Sequence, residues 1–176
     1  MISIAFKITT AVIAAAGLAF ASADDLASSS PYDGEQLKLL DEAVLTDHAS
    51  TVFQRADFDQ NGTLNADEYA TLAIISAELA RLNGFVVIET SAGPSTVSLR
   101  STAPASLSGA EHTRIDAVAR SMFYNAAGDD GRMDEAEYIV AQRAVFDQAD
   151  FNSNGALRKA ELELFAERQA MTQIGA

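Results

Sequence analysis

Two stretches of the chain, residues 57–68 and 150–161, place side-chain oxygens at alternate positions, followed by a glycine and then a glutamate. The residues at these positions are Asp57, Asp59, Asn61, Gly62 and Glu68 in the first stretch and Asp150, Asn152, Asn154, Gly155 and Glu161 in the second. Carboxylate and amide oxygens are ligands for hard cations, and calcium takes six to eight oxygens at about 2.3–2.6 Å. The glycine permits the sharp turn that brings early and late positions around one ion. The spacing therefore indicates two cation-binding loops.

The same geometry assigns two further positions in each stretch. In such a loop the seventh residue contributes its backbone carbonyl, and the ninth contributes a side chain or a bound water. These positions hold Thr63 and Asn65 in the first stretch and Ala156 and the cationic Arg158 in the second. The alternative is a pair of solvated turns, because Asp, Asn and Gly favour turns and helix caps without any metal.

The two stretches belong to longer repeated segments. Residues from Val52 onward align without gaps with residues from Val145 onward, at an offset of 93 positions (52 to 145). Such a repeat is typical of a duplicated supersecondary unit. With its matching apolar flanks, the chain resembles the EF-hand family over roughly residues 49–76 and 135–169. The resemblance implies two helix–loop–helix units that each bind a calcium ion, and it does not cover residues 85–108.

The two loops differ in charge. The first offers three ligand carboxylates, whereas the second offers two and carries Arg158 and Lys159 at its ninth and tenth positions. Ligand charge is one determinant of EF-hand affinity, which spans about 10⁻⁹ to 10⁻³ M. We therefore predict that the first loop binds calcium more tightly.

Residues 126–137 fit the same template incompletely. Asp130, Asp134 and Glu137 match its fifth, ninth and twelfth positions, but Ala126 and Gly128 replace the first two ligands. The preferred interpretation is a pairing partner without a metal, and the alternative is an unusual site that uses Asn125 or backbone carbonyls. A shared helix of about 12 residues would hold loops 126–137 and 150–161 about 18 Å apart. Loop 57–68 must then pair with one of them, and 126–137 is favoured over 150–161.

The apolar pattern predicts a mostly α fold. Apolar residues recur at helical spacing in residues 35–56, and further helices are predicted at 66–83, from about 109, at 135–149 and at 159–172. Residues 85–108 interrupt this pattern with two β-rich runs around a turn, followed by a Ser-, Ala- and Pro-rich tail. We expect one EF-hand domain at 35–176 that contains a small β-like insertion at 85–108.

The N-terminus has the layout of a secretory signal peptide. Residues 8–23 are uncharged, follow Lys7 and end in small residues, which predicts cleavage after Ala23 or alternatively after Ala21. An uncleaved N-terminal anchor is the other interpretation. Residues 24–34 are polar and read as a flexible lead-in. The chain has no cysteine, and a cysteine-free exported protein fits a bacterial periplasm. We expect an exported protein, periplasmic or secreted, without stable membrane insertion after cleavage.

Charge and motif content narrow the function further. Removal of residues 1–23 takes away Lys7 and moves the net charge from −13 to −14, which disfavours nucleic acid as a partner. His48 and His112 belong to no recognisable catalytic motif, so we expect no enzyme. The preferred function is a calcium buffer or calcium-stabilised module. The alternatives are a calcium-triggered sensor with an unidentified protein partner and a lanthanide or general metal binder. The close spacing of the loops is similar to lanmodulin-type proteins, but Phe58 and Phe151 replace the proline typical of their loops.

Overall fold

A computed structural model describes residues 35–100 and 105–171. Chain contacts divide the protein into Met1–Tyr32 and Asp33–Ala176, and all described residues lie in the second unit. The signal peptide predicted at 1–23 and the lead-in predicted at 24–34 lie outside the described residues. Within the described ranges the chain forms five helices and four short strands. In order these are β1 (Leu40–Asp41), α1 (Glu42–Ala56), α2 (Ala66–Asn83), β2 (Phe85–Thr90), β3 (Gly93–Ser98), α3 (Gly109–Ala126), α4 (Glu135–Ala149), β4 (Ala156–Leu157) and α5 (Ala160–Gln169).

Helices α1 and α4 run antiparallel through the middle of the fold. Glu42, at the start of α1, forms a 2.6 Å ion pair with Arg143 of α4, and Ser50 of α1 donates a hydrogen bond to Glu135 at the start of α4. Because the start of each helix contacts the second half of the other, the two helices run in opposite directions. This arrangement places the loops that follow α1 and α4 at opposite ends of the helix pair.

Short backbone pairings close both ends. At one end, the N–H groups of Leu64 and Met133 donate to each other's carbonyls at 2.8 and 3.0 Å, which joins loop 57–68 to loop 126–137. At the other end, β1 pairs antiparallel with β4, with Leu40 opposite Leu157. The structure thus joins loops 57–68 and 126–137, which is the pairing favoured from the sequence.

Each end has its own apolar core. The first is formed by α1, α2, α3 and α4 and includes Phe53, Phe123 and Met133. The second is formed by α1, α4, α5 and the β2–β3 hairpin and includes Phe146 and Phe165. All five side chains are buried. Burial of large apolar side chains of this kind contributes about 1.5–3 kcal/mol each.

The β2–β3 hairpin supplies part of the second core. Ile88 and Val97 are buried in it, and the backbone of Thr96 pairs with the segment at residues 35–37. The prediction of a mostly helical fold with a small β element is confirmed. The insertion has a packing role that its sequence did not indicate.

Two predicted helix boundaries are wrong. The pattern at residues 35–56 predicts one helix, but α1 begins at Glu42 because Asp41 caps it, its carboxylate accepting the N–H of Val44 at 3.0 Å. Residues 36 and 40–41 are instead paired with β3 and β4. The last helix, predicted at 159–172, is Ala160–Gln169.

Candidate metal centre

Loop 57–68 is organised around its first carboxylate. Asp57 ends α1, its own N–H donating to Phe53, and its two carboxylate oxygens accept the N–H groups of Asn61 and Gly62 at 3.0 and 2.9 Å. Gln60 and Gly62 adopt positive φ angles of 57° and 82°. These two left-handed residues turn the chain back on itself, so that backbone N–H groups of the turn point toward Asp57.

Glu68 closes the loop from the other side. Its carboxylate accepts the N–H of Phe58 and the N–H of Asn65, both at 3.0 Å, and the residue is only 6% exposed. A buried carboxylate is costly unless hydrogen bonds or a cation compensate for the lost water. The two N–H groups provide that compensation and hold Glu68 toward the interior of the loop.

Three carboxylates of this loop can hold a metal ion together. One oxygen each from Asp57, Asp59 and Glu68 lies within 4.8 Å of the others. For an ion bound at about 2.3–2.6 Å, two ligand oxygens can be at most about 5 Å apart, when they lie on opposite sides of it. The donor set therefore fits a hard cation of that size.

Asn61, Thr63 and Asn65 have defined roles in the loop. The Asn61 side-chain oxygen accepts both the N–H and the hydroxyl of Thr63, at 2.9 and 2.6 Å. The Asn65 side-chain oxygen accepts the N–H groups of Asp67 and Glu68, which makes it the N-cap of α2. Asn65 occupies the ninth position of the loop, where a ligand side chain is expected. Its side chain instead caps the helix that carries Glu68.

Loop 150–161 has the same backbone framework. Asp150 ends α4 and accepts the N–H groups of Asn154 and Gly155 at 3.2 and 2.8 Å. Ser153 and Gly155 have positive φ angles of 54° and 75°, at the positions that correspond to Gln60 and Gly62. The Asn154 side-chain oxygen accepts the N–H of Ala156, as Asn61 does for Thr63. Glu161 is 8% exposed.

This loop differs from the first where its sequence differs. Asn152 donates its amide N–H to Glu161, so a nitrogen faces the glutamate where loop 57–68 has the Asp59 carboxylate. Arg158 cannot cap a helix, and α5 begins after Lys159 without a side-chain cap. Lys159 takes φ 48° and ψ −115°, a strained conformation for a residue with a Cβ. The second loop is therefore less well organised around its ligand positions.

Loop 126–137 follows a different path in its first half. Ala126 is the last residue of α3 rather than a cap, and positive φ occurs at Gly128 and Gly131. A Cβ built on Gly128 would lie 3.1 Å from Glu137 Oε1, so the carboxylate of Glu137 lies directly over this glycine. Asp134 caps α4 by accepting the N–H of Glu137 at 2.8 Å. Asp130, Asp134 and Glu137 do not converge on one point in the described part of the chain, where only loop 57–68 forms a group of three acidic ligands.

An aromatic cluster lies behind the joined loops. The rings of Tyr69 and Tyr138, which follow Glu68 and Glu137, meet edge to face with centroids 6.3 Å apart, and Phe53 and Phe123 pack beside them. Burial raises the pKa of Tyr69, and burial together with the neighbouring Tyr69 raises the pKa of Tyr138. Both hydroxyls therefore stay neutral near pH 7, and the loops rest on an uncharged apolar base.

Comparison of the chain with protein-family models, curated proteins and solved structures gives no match. Across the described ranges, no helix combines the length and apolar character needed to cross a membrane. The candidate site therefore has to be interpreted from its own geometry and chemistry.

Proposed function

We propose that the protein binds calcium through EF-hand loops at 57–68 and 150–161. The observation that carries the proposal is the convergence of Asp57, Asp59 and Glu68 within 4.8 Å, in a loop whose backbone N–H groups already orient all three. Oxygen-only ligands on a turning loop suit calcium, which accepts six to eight oxygens in flexible geometry. Thr63 would add its backbone carbonyl, and the cap role of Asn65 favours a water at the ninth position.

The framework of loop 150–161 supports a second, weaker site. Asp150 and Asn154 repeat the hydrogen bonds of Asp57 and Asn61, and the Ala156 carbonyl stands at the seventh position. Glu161 repeats only the contact with the N–H of the ninth residue, at 3.4 Å. The amide of Asn152 must present its oxygen instead of its nitrogen, which costs its bond to Glu161. Together with two ligand carboxylates instead of three, this predicts lower affinity. The middle loop, with Glu137 lying over Gly128, is proposed to have only a structural role.

Isothermal titration with calcium tests both assignments. The exported chain (residues 24–176), titrated in a magnesium-containing buffer, should show two sites of unequal affinity. Glu68→Gln should remove the tighter site and Glu161→Gln the weaker one. Each variant removes a direct ligand charge, so the loss should exceed the roughly 10–100-fold that weakened outer contacts cost a metal site.

Glu137→Gln is the matched control, because it makes the same change at the same position of the middle loop. It should leave both sites unchanged. Heat for three ions that falls to two in Glu137→Gln would contradict a purely structural middle loop. Absence of binding at millimolar calcium would overturn the proposed function.

A buffer or calcium-stabilised module is favoured over a sensor. A sensor exposes a Met-rich groove when it opens, but the chain after residue 23 has only three methionines, Met122, Met133 and Met171. The observation in favour of a sensor is a stripe of Ile75, Leu79 and Leu82 on α2, each between 42% and 53% exposed. Binding of a hydrophobic dye separates the two: calcium should leave its fluorescence unchanged or lower in a buffer and raise it in a sensor.

Export to the periplasm or the exterior is part of the proposal and rests on the sequence of residues 1–23. Mass spectrometry of the protein recovered from a secreting host should give a chain that begins at Asp24, or at Ser22 if cleavage follows Ala21. Retention of residues 1–23 would instead support the N-terminal anchor.

A further inference from the structure

His48 joins α1 to the edge of the hairpin through a single hydrogen bond. Its Nδ1 accepts the backbone N–H of Glu89 in β2 at 3.1 Å. Glu89 lies opposite Pro94 of β3, next to the turn of the hairpin. The imidazole therefore satisfies a backbone donor on the outer edge of the hairpin.

A second contact fixes the same residue. The Glu89 carboxylate accepts a hydrogen bond from Arg55 at 2.6 Å, seven positions after His48 on the same helix. His48 thus holds the backbone of Glu89, while Arg55 holds its side chain. A polar cleft of about 320 Å³ lies beside this contact, lined by Asp47, Ser50, Thr51, Glu89, Thr90 and Ser91. Glu89 thus lies between the imidazole and this cleft.

This hydrogen bond exists only when Nδ1 is unprotonated. A neutral imidazole that accepts at Nδ1 carries its proton on Nε2, whereas an imidazolium has donors at both nitrogens and cannot accept. Protonation would therefore place two donors, the imidazolium N–H and the N–H of Glu89, opposite each other without an acceptor. The nearby Glu89 carboxylate would then be the natural acceptor, in competition with Arg55.

We propose that His48 and Glu89 form an acid-sensitive latch, in which protonation of His48 releases the edge of β2 from α1 while the hairpin stays in the second core. The hairpin keeps its other anchors, because Ile88 and Val97 remain buried and Thr96 pairs with residues 35–37. The latch lies outside the ion-binding loops and does not depend on calcium binding.

The charges around the imidazole are few. Glu89 from β2 favours its protonation, and Arg55 from α1 opposes it. Asp47 lines the adjacent cleft. The charged side chains that α4 directs at α1, Glu135 and Arg143, are bonded to Ser50 and Glu42. Burial is the largest influence, and it lowers the pKa of His48 to about 4.

Solution NMR of the ion-free exported chain tests the latch between about pH 6.5 and about pH 3. The His48 imidazole and the Glu89 amide proton should shift with one common midpoint near 4. Amide exchange at Glu89, corrected for its intrinsic pH dependence, should rise by about tenfold below that midpoint, because the hydrogen bond is lost.

His48→Asn is the decisive variant, since its side-chain oxygen can replace Nδ1 as the acceptor but cannot titrate. In this variant the Glu89 amide should stay protected across the range. A Glu89 shift that persists in His48→Asn would assign the effect to the carboxylate of Glu89 and overturn the latch. An imidazole that titrates near its ordinary pKa with an unmoved Glu89 amide would also overturn it. The latch would also be overturned if the chemical shifts of the Ile88 and Val97 methyl groups collapsed to random-coil values at the same pH, because that change would signal unfolding.

Discussion

Glu68 and Glu161 occupy the same position of their loops but are held by different groups. Glu68 accepts two backbone N–H groups, from Phe58 and Asn65. Glu161 instead accepts the Asn152 side chain and a long 3.4 Å contact from the N–H of Arg158. Backbone donors leave the ligand side chains free to face an ion, whereas Asn152 has to give up a bond to become a ligand. The difference adds to the charge difference that the sequence shows.

Asn152→Asp should therefore strengthen the second site. The change replaces the Asn152 amide with a carboxylate at the third position of the loop. Loop 150–161 would then offer three negatively charged ligands, as loop 57–68 does. We expect calcium affinity to rise by about tenfold or more, since ligand charge moves EF-hand affinities over several orders of magnitude. Titration in a Glu68→Gln background isolates the second site.

Ser153→Asp is the control for this prediction. It adds the same charge to the same loop, at a position with φ 54° that Asp tolerates and that does not face the ion in the proposed site. An equal gain in both variants would show that overall loop charge, rather than the ligand, determines affinity.

The buried imidazole of His48 predicts a loss of stability in mild acid. Because the folded pKa, about 4, lies below the ordinary value of 6.5, the unfolded chain binds more protons between these pH values. The free energy of unfolding should therefore fall as the pH drops from about 6.5 to about 4, by on the order of 1–3 kcal/mol. Urea unfolding at several pH values measures this slope. His48→Asn should lack this component, and an identical slope in both proteins would contradict it.

Among the helices, α5 is the one with a poorly formed start. Asp41, Asn65, Ser108 and Asp134 cap the other four helices with side-chain hydrogen bonds. At the corresponding place α5 has Lys159 with φ 48° and no cap bond. The cap is missing because Arg158 stands where the other two loops have Asn65 and Asp134, and an arginine side chain cannot accept an N–H. The strained backbone that results could not be read from residue types.

Lys159→Gly should stabilise the protein despite the general cost of glycine. A strained conformation of this kind costs about 1–3 kcal/mol, and glycine adopts it without a Cβ clash. Glycine also raises the conformational entropy of the unfolded chain, which offsets part of this gain. We therefore expect a net increase of about 1 kcal/mol in the free energy of unfolding. Lys159→Ala removes the same charge but keeps the Cβ, so it should give no such gain. Urea unfolding of the ion-free wild type and both variants measures these differences in the free energy of unfolding.

The elements that follow periodic patterns were predictable, and those set by distant contacts were not. Helices α2 and α4 have the predicted bounds because apolar spacing and capping residues agree there. The start of α1 was missed because Leu37 and Leu40 fit a helical face equally well. Their extended conformation is fixed by Thr96 and by β4, which lie far along the chain. The convergence of Asp57, Asp59 and Glu68 was predictable because it depends on spacing within a single loop.

At the scale of the whole molecule, the two ends repeat one arrangement. Leu40 precedes Leu64 by 24 positions (40 to 64), and Met133 precedes Leu157 by the same 24 (133 to 157). Leu64 pairs with Met133, and Leu40 pairs with Leu157, so α1 and α4 each connect one end to the other. All four side chains are fully buried. The equal spacing was present in the sequence, but Lys38 and Val44 replace the glycine and the closing glutamate that would have marked the residues around Leu40 as the partner of loop 150–161.

This arrangement predicts that each ion site depends on the pairing at its own end. Leu40→Ala and Leu64→Ala each remove a fully buried leucine and should lower the free energy of unfolding by about 2–5 kcal/mol. Their effects on calcium binding should differ: Leu40→Ala should weaken the site at 150–161, and Leu64→Ala the site at 57–68. Calcium titrations in Glu68→Gln and Glu161→Gln backgrounds measure each site alone. If Leu40→Ala weakened both sites equally while the protein stayed folded, the two ends would be one cooperative unit joined through α1 and α4. If Leu40→Ala weakened only the site at 57–68, at the other end of the helix pair, the pairing of β1 with β4 would have no part in holding loop 150–161.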